Sequence, residues 1–294
     1  MTPGEHGGVP GAELAALATE VVRLAALEIR SLGATARQAE LREPGRKVED
    51  PLILRADRVA ERILVQKLEE QEVNCIVLSE EMGRVDYGNG RPDWYVVCDP
   101  FDGSTLFRRG IRSAWYIAIG ILNASRQPVF TVILDYINQL QFSAGPGESY
   151  AAKLRPSDFT PQGPATRLQA SAQPLDERWA LAFYGMKPGH LRRAMSTLGP
   201  LLDRAEFILP NGGPAGFVHV AENSVDAYVA LREPLTEVFT GFDIAVQAGA
   251  MVTDLAGNPP VFHDSVDHEY TLLCSRNAQV HETLLPEIAK RYRE

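Results

Sequence analysis

Residues 99–105 read Asp-Pro-Phe-Asp-Gly-Ser-Thr and combine carboxylates with residues that form turns. They follow the apolar run 94–98, which is typical of a buried strand, and the proline forces a turn where that strand ends. The turn brings Asp99, Asp102 and the Phe101 carbonyl toward one point. Such hard oxygen donors suit Mg²⁺ rather than zinc or copper. Because Asp-Pro and Asp-Gly pairs are common turn formers, the run taken alone is more often a surface turn.

The end of the same run offers groups that could bind an anion. Gly103 lets the backbone approach a ligand closely. Ser104 and Thr105 supply N–H groups and hydroxyls at the start of a helical turn. The run therefore predicts an anion beside the metal-binding oxygens.

Further carboxylates stand at other strand ends and helix starts. Glu80 and Glu81 follow the apolar run 75–78, and Asp57 and Asp243 each precede a helix with apolar periodicity. Taken singly, each is explained as a solvated turn or as a helix cap. A carboxylate at a helix N-terminus can cap the helix and also bind a metal ion or a water molecule, so the two roles are compatible. Together these segments predict one acidic pocket.

Other chemistries lack their sequence signatures. The chain has no G-x-x-x-x-G-K-[ST] phosphate loop and no G-x-S-x-G nucleophile elbow. The glycine-rich run 145–150 lacks the third glycine of a dinucleotide fingerprint. The 6 histidines are scattered, with no two at metal-ligand spacing. What remains is carboxylate chemistry.

Composition limits the partners and the compartment. The 29 Lys and Arg residues against 38 Asp and Glu residues give a net charge of -9 without blocks of like charge, which argues against sequence-independent nucleic-acid binding. The 3 cysteines lie far apart in apolar runs, so we expect buried free thiols in a reducing compartment. No signal peptide or membrane span is predicted, and we expect a cytoplasmic protein without a membrane partner.

Helices and strands alternate along the 294 residues, which predicts stacked α and β layers. Predicted helices lie at 12–32, 57–70, 190–203, from 214, 243–255 and from 278. Predicted strands lie at 75–78, 94–98, 114–122, 129–136, in a hairpin reaching 142, and at 179–184, 206–209, 226–231 and 270–274. The proline-rich segment 153–166 marks a predicted boundary between an N-terminal half, 1–152, and a C-terminal half, 167–294.

The ordered set of motifs resembles the inositol monophosphatase and fructose-1,6-bisphosphatase superfamily. The resemblance is carried by the runs 57–61, 78–81, 94–105, 242–245 and 252–257, and it covers most of the chain. It implies an alternating α/β/α/β/α sandwich. It also implies a lithium-sensitive, Mg²⁺-dependent phosphomonoesterase that acts on a small phosphorylated metabolite as a homodimer.

By this resemblance, Glu80, Asp99 and the Phe101 carbonyl hold one Mg²⁺. Asp99, Asp102 and Asp243 hold a second, and Glu80 helps to bind a weaker third. The late ligand Asp243 and the motif around Asp99 lie in different halves of the chain. The resemblance therefore implies that the two halves meet at the site.

The resemblance also implies how water and phosphate are held. Ser104 orients the attacking water, and Asp57 accepts its hydrogen bond as part of the activating pair. Backbone N–H groups of Gly103 and Ser104 cradle the phosphate. Further phosphate or substrate contacts are expected from Thr105, Asn211, Gly212, Gly213 and Arg232.

Some positions depart from the family pattern. Leu54 replaces a threonine near the third metal, and Gln247 replaces a small residue after the late aspartate. Inositol-specific members carry a glutamate where this chain has Ala230, and the stretch from there to Asp243 is longer than in those members. Metal chemistry is therefore expected, whereas inositol specificity is not.

Several alternatives stay open at this point. Within the phosphatase class they are a fructose-1,6-bisphosphatase, a 3′(2′),5′-bisphosphate nucleotidase and a histidinol phosphatase. A different class is a catalytically weak metal-binding regulatory protein. The basic residues Arg108, Arg109 and Arg112 form either a lip that attracts phosphate or a solvated loop, and the same choice applies to Arg46 and Lys47.

Overall fold

A computed structural model describes residues 9–41 and 52–292 of the chain. Two helices form the first layer, α1 (Gly11–Leu32) and α2 (Arg55–Glu70). In α1, Leu14, Leu17 and Val21 repeat at helical spacing and are buried against the first sheet. The helix α2 begins two residues before the predicted start because Asp57, inside its first turn, accepts a hydrogen bond from the Leu54 N–H at 2.6 Å.

The second layer is an eight-stranded sheet with the order β10-β9-β8-β7-β6-β5-β3-β4. Its strands are β3 (Cys75–Ser79), β4 (Gly83–Tyr87), β5 (Trp94–Asp102), β6 (Tyr116–Asn123), β7 (Pro128–Asp135), β8 (Leu140–Gly145), β9 (Glu148–Lys153) and β10 (Thr166–Arg167). Only the β3–β5 pair of this sheet is parallel within the described ranges. A small separate sheet pairs β1 (Ala39–Leu41) with β2 (Leu52–Leu54).

The third layer lies between the two large sheets and consists of short helices. These are α5 (Pro214–Ala221), α6 (Leu235–Val238) and α7 (Phe242–Gln247). They contact strands of both sheets, and the apolar residues around them are buried. Helix α3 (Ser104–Arg109) follows β5 directly, as the helical turn predicted at that point requires.

The fourth and fifth layers complete the sandwich. A five-stranded sheet has the order β12-β11-β13-β15-β14, and its strands are β11 (Ala180–Phe183), β12 (Phe207–Leu209), β13 (Ala227–Pro234), β14 (Met251–Asp254) and β15 (Glu269–Ser275). Helices α4 (Pro188–Leu202) and α8 (Ala278–Tyr292) pack on its outer face. The layered α/β/α/β/α architecture is therefore confirmed.

The predicted hairpin is confirmed, since β7 and β8 pair antiparallel, and β9 then extends it. One element prediction was wrong, because the helix predicted at 243–255 is the short α7 followed by β14. The chain turns at Gly249, which has φ 96°, a conformation that side chains with a Cβ rarely adopt. Val252 and its neighbours then pair with β15, so an apolar run that fits a helix becomes a strand.

The predicted free thiols are confirmed, since Cys75, Cys98 and Cys274 are all buried and unbridged. Burial raises the pKa of the Cys75 thiol to about 12. Among the helices that the structure describes, none combines the length and the hydrophobicity needed to cross a lipid bilayer.

Candidate active site

The turn after β5 depends on one glycine. Gly103 has φ 88°, and a Cβ at this position would lie 1.8 Å from the Ala114 carbonyl oxygen. No side chain fits there, because real Cβ contacts are never so short. The tight turn lets the chain pass from β5 into α3 within a single residue. It places Ser104 and Thr105 beside the carboxylates at the end of β5.

Ser104 and Asp57 lie together, as the sequence prediction requires. The Ser104 hydroxyl oxygen is 3.0 Å from Asp57 Oδ1 and 2.7 Å from the Phe101 carbonyl oxygen. The single hydroxyl proton can be donated to only one of these acceptors at a time. The other carboxylate oxygen of Asp57 accepts the Leu54 N–H. Asp57 therefore has both roles considered for it, helix cap and partner of Ser104.

Three acidic side chains converge at the ends of β3 and β5. Glu80 is fixed next to β5 because its backbone N–H donates to the Cys98 carbonyl at 3.2 Å. Burial, reinforced by the nearby Glu80 and Asp102, raises the pKa of Asp99 well above its ordinary value. Burial and Glu80 also raise the pKa of Asp102 to about 7. The end of β5 thus holds more negative charge than a buried site normally tolerates.

The backbone N–H of Gly103 donates to the Asp102 carboxylate, which opposes the rise in the pKa of Asp102. This contact changes the expected role of Gly103. Its N–H was predicted to cradle the phosphate, whereas in the structure it holds Asp102. Gly103, Ser104 and Thr105 all line the acidic pocket.

A fourth carboxylate, Glu237 in α6, was missed by the sequence prediction. It lines the pocket together with Glu80 and Asp102. A Cβ placed on Gly213 would lie 3.2 Å from Asp102 Oδ2 and 3.5 Å from Glu237 Oε2, so these carboxylates face each other across that glycine. Burial raises the pKa of Glu237 well above its ordinary value, with Glu233, Asp102 and Glu80 adding to the effect.

The structure does not bring Asp243 to this cluster, which corrects the prediction that it holds the second metal. Its side chain is buried in α7 and accepts a hydrogen bond from Gln247 Nε2 at 3.0 Å. Gln247 Oε1 in turn accepts the Gly147 N–H at 2.7 Å. Gly147 lies in the β8–β9 turn, three strands away from β5 in the sheet order and at the opposite end of its strands.

The physical reason for this correction is the chain length between β13 and α7. The first acidic residue after β13 that begins a helix is Glu237, and α6 then ends within one turn. The aromatic-Asp pair at 242–243 belongs to the next helix, which packs on β8 and β9. The unusually long stretch before Asp243 was the sequence signal that could have pointed to Glu237.

Behind this cluster, Glu233 fixes the loop that carries Gly213. The Gly213 N–H lies 3.2 Å from Glu233 Oε2 and 3.0 Å from the Tyr228 hydroxyl oxygen. The Tyr228 hydroxyl donates to the same Glu233 carboxylate. Burial raises the pKa of Glu233 to about 7. The loop at 211–213 is thus tied from behind to the end of β13.

The acidic pocket has a volume of about 440 Å³, and its lining includes the predicted contacts Thr105, Asn211, Gly212 and Gly213. The Asn211 side chain hydrogen-bonds the Tyr116 hydroxyl. These predicted positions therefore face the same space as the carboxylates.

Among the residues that the structure describes, two cations face the pocket, and one of these two was a predicted candidate. Arg109 lines it, whereas Arg108 and Arg112 do not. Lys187, immediately before α4, also lines it, and its charge opposes the raised pKa values of Asp102 and Glu237. No motif marked Lys187, because a lone lysine before a Pro-Gly pair has no distinctive spacing.

Arg232 is not part of this pocket, which corrects its predicted role in substrate binding. It sits at an irregularity in the pairing of β13 with β15, with φ 60°. Its side chain is about half exposed and pairs with Glu269 at 2.5 Å. Arg46 and Lys47, considered as phosphate contacts, lie outside the described residues.

The donor set fits a divalent metal, although no three His, Cys, Asp or Glu side chains within 9–41 and 52–292 form a group arranged to hold one. The fit rests on Asp99, whose Oδ1 is buried and has no hydrogen-bond partner in the described part of the chain. An ionised buried carboxylate needs a compensating partner. Oxygen donors from Glu80, Asp102 and Glu237 surround it, and such ligands suit Mg²⁺.

Comparison with known proteins gives a consistent result. The sequence model of the inositol monophosphatase family matches residues 11–292. A fructose-1,6-bisphosphatase/inositol-1-monophosphatase of Thermococcus kodakarensis is 28% identical over 82% of this chain and 84% of its own. The Nus factor SuhB of Vibrio cholerae is 26% identical over 74% of this chain and 78% of its own. The crystal structure of an extragenic suppressor protein suhB from Bartonella henselae has the same fold, with a TM-score of 0.74, 20% identity, and coverage of 93% of this chain and 97% of that one.

Proposed function

The chain belongs to the inositol monophosphatase family and is a phosphatase, and we propose that it hydrolyses a small phosphorylated metabolite with two or three Mg²⁺ ions. The observation that carries the proposal is the Ser104–Asp57 hydrogen bond beside a buried excess of carboxylates. A group that orients water and a group that attracts divalent cations are the two requirements of metal-assisted phosphoester hydrolysis.

We assign the metal-binding oxygens as follows. Glu80, Asp99 and the Phe101 carbonyl would hold one ion, and Glu80 would contribute to a third. Asp99, Asp102 and Glu237 would hold the second. Bound Mg²⁺ lowers the pKa of coordinated water and neutralises charge on the phosphoryl oxygens. Glu237 takes the place that the family resemblance gave to Asp243.

Ser104 and Asp57 act on the attacking water. Donation of the Ser104 hydroxyl proton to Asp57 leaves the serine oxygen as an acceptor for a proton of that water. The water is then oriented with a lone pair toward phosphorus. Because Asp57 is anchored by the Leu54 N–H, the pair is preorganised and needs little rearrangement on substrate binding.

The substrate side of the pocket favours a second acidic group over a polyol. Ala230 is fully buried and offers no carboxylate to ring hydroxyls. Arg109 and Lys187 instead supply two cations in the same 440 Å³ space. We therefore propose a sugar phosphate or bisphosphate as the preferred substrate class, in line with the relative named fructose-1,6-bisphosphatase/inositol-1-monophosphatase. A nucleotide bisphosphate and histidinol phosphate are the alternatives.

A phosphate-release screen tests this proposal. Purified protein with Mg²⁺ is offered fructose 1,6-bisphosphate, inositol 1-phosphate, a 3′,5′-nucleotide bisphosphate and histidinol phosphate. Asp102→Asn serves as the matched inactive control for contaminating phosphatases. We expect a sugar phosphate or bisphosphate to exceed inositol 1-phosphate in kcat/KM. A tenfold preference for inositol 1-phosphate, about 1.4 kcal/mol in transition-state binding, would overturn the substrate assignment.

The family resemblance extends the proposal in two further ways. We propose that Li⁺ inhibits the enzyme uncompetitively, and more weakly than in inositol-specific relatives because Glu237 replaces an aspartate. We also propose that the protein works as a cytoplasmic homodimer. Li⁺ titration at saturating substrate and the molar mass in solution test these two statements separately.

A further inference from the structure

A second cavity lies against the other side of α3. It has a volume of about 230 Å³, and it shares no lining residue with the acidic pocket. Ser104, Thr105 and Arg109 of α3 face the acidic pocket, whereas Phe107 faces this cavity. Its chemically distinctive lining consists of Arg30, Arg37, Arg112, Phe107, Trp115 and Tyr136. We call it the arginine cavity.

The arginine cavity is strongly positive in an acidic protein. In the part of the chain that the structure describes, none of its three guanidinium groups forms an ion pair with a carboxylate. Arg30 donates to the Pro156 and Ser157 carbonyls, which leaves its charge uncompensated. The guanidinium carbon of Arg37 lies 5.3 Å from the centre of the Phe107 ring. This contact uses the flat face of the guanidinium group, so the N–H groups at its edge remain available to a ligand.

A buried indole gives an independent indication of a ligand. Trp115 is 4% exposed, and its Nε1 is buried without a hydrogen-bond partner in the described residues. A buried N–H is nearly always paired in a native protein, and leaving one unpaired costs about 1–3 kcal/mol. Trp115 lines the cavity together with the three exposed arginines. An acceptor-rich ligand would satisfy the arginines directly, and it would reach the enclosed indole N–H after a small rotation of the ring.

We propose that the arginine cavity binds the phosphate group of a small metabolite at a site separate from the acidic pocket. Several guanidinium groups around one small space match the geometry and charge of a phosphate better than those of a neutral ligand. The volume admits little more than the phosphate and a short attached segment. The site stands on residues that have no part in the proposed hydrolysis, so it does not depend on the proposed function.

The position of this cavity links it to α3. The Phe107 ring packs on the Phe101 ring with centroids 4.8 Å apart, and on the Trp115 ring at 4.8 Å. The carbonyl of Phe101 accepts the Ser104 hydroxyl on the other side. A phosphate in the arginine cavity would thus lie one layer of aromatic side chains behind the residue that orients the water.

Titration of the full chain with inorganic phosphate tests the proposal. The titration is carried out by calorimetry in EDTA, where the carboxylates of the acidic pocket repel anions, so that only the arginine cavity should respond. We expect one saturable site with a Kd below about 1 mM. Arg37→Ala and Arg112→Ala should each weaken binding at least tenfold, about 1.4 kcal/mol. Trp115→Phe keeps the ring and removes the N–H, and it should weaken binding several-fold.

The matched control is Arg108→Ala, which removes the same charge from α3 but lines neither space. It should bind phosphate within about twofold of the unchanged protein, because only a long-range charge is lost. Thermal melting verifies that each variant is folded. Absence of saturation below about 10 mM phosphate, or equal losses in Arg108→Ala and Arg112→Ala, would overturn the proposal. The phosphate-release screen is independent of either result.

Discussion

The acidic pocket has two walls, and the sequence motifs predict the positions of the acidic residues better in one wall than in the other. The N-terminal wall consists of the ends of β3 and β5 and the start of α3, and each of its acidic residues lies where the motif predicts. The C-terminal wall consists of the end of β13 and α6, and there the acidic residue is Glu237 instead of the predicted Asp243. Both walls bring carboxylates to one space, but only the first is recognisable from local sequence alone.

The difference lies in what fixes each wall. The N-terminal wall is held by contacts within a few residues, such as the turn at Gly103, where a Cβ would meet the Ala114 carbonyl at 1.8 Å. The C-terminal wall depends on how far the chain runs before the next helix packs on the first sheet. Chain length and packing over long sequence separations decide that position, and a short motif does not encode them.

The largest expected effect is in the N-terminal wall. Asp102→Asn removes the negative charge of a carboxylate that we assign to the second metal ion. We therefore expect kcat to fall by at least about 10³-fold. Asp86→Asn, an exposed position in β4 on the same sheet, is the matched control and should keep full activity. Steady-state kinetics at saturating Mg²⁺ measures both. Near-normal turnover in Asp102→Asn would remove the N-terminal wall from the mechanism.

A smaller effect is expected for the water-orienting pair in the same wall. Ser104→Ala should lower kcat by about 10- to 100-fold with little change in KM, because the interaction belongs to the transition state. Ser104→Thr keeps the hydroxyl and should retain activity. If the loss appears only in KM, Ser104 binds substrate and does not orient water.

The smallest effect concerns stability and pH. The raised pKa of Asp102, about 7, means that the metal-free folded protein binds a proton that the unfolded chain has already released. Its contribution to stability is therefore full below the ordinary pKa of an aspartate, about 4, and is lost progressively as the pH rises from there through 7. In EDTA, Asp102→Asn should melt higher than the unchanged protein, and its advantage should be clearly smaller at pH 5 than at pH 8, where it reaches a few degrees. With added Mg²⁺ at pH 8, the unchanged protein should instead have the higher melting temperature. A difference in melting temperature that is independent of pH would contradict this account.

The sequence predicted the layers, most of the strands and the acidic residues of the N-terminal wall, because apolar periodicity and turn residues act locally. It placed the turn at Pro100, whereas β5 continues through Pro100 to Asp102 and the chain turns at Gly103. It did not predict β14, because the apolar run before Asp254 fits a helix until Gly249 breaks it. It also did not predict Lys187, whose place in the pocket follows from the packing of α4. Arg232 was assigned to the pocket from its charge alone, whereas the irregularity in β13 turns it toward Glu269.

The central claim is that Glu237, and not Asp243, completes the metal site. The most direct test is Mg²⁺ titration of activity and of calorimetric binding in Glu237→Gln and Asp243→Asn side by side. The account predicts that Glu237→Gln raises the half-saturating Mg²⁺ concentration at least tenfold and lowers kcat about 100-fold, since it removes a ligand charge. Asp243→Asn should stay within about threefold in both quantities, because Asp243 bonds Gln247 away from the pocket. A lost Mg²⁺ response in Asp243→Asn together with a normal response in Glu237→Gln would contradict the account.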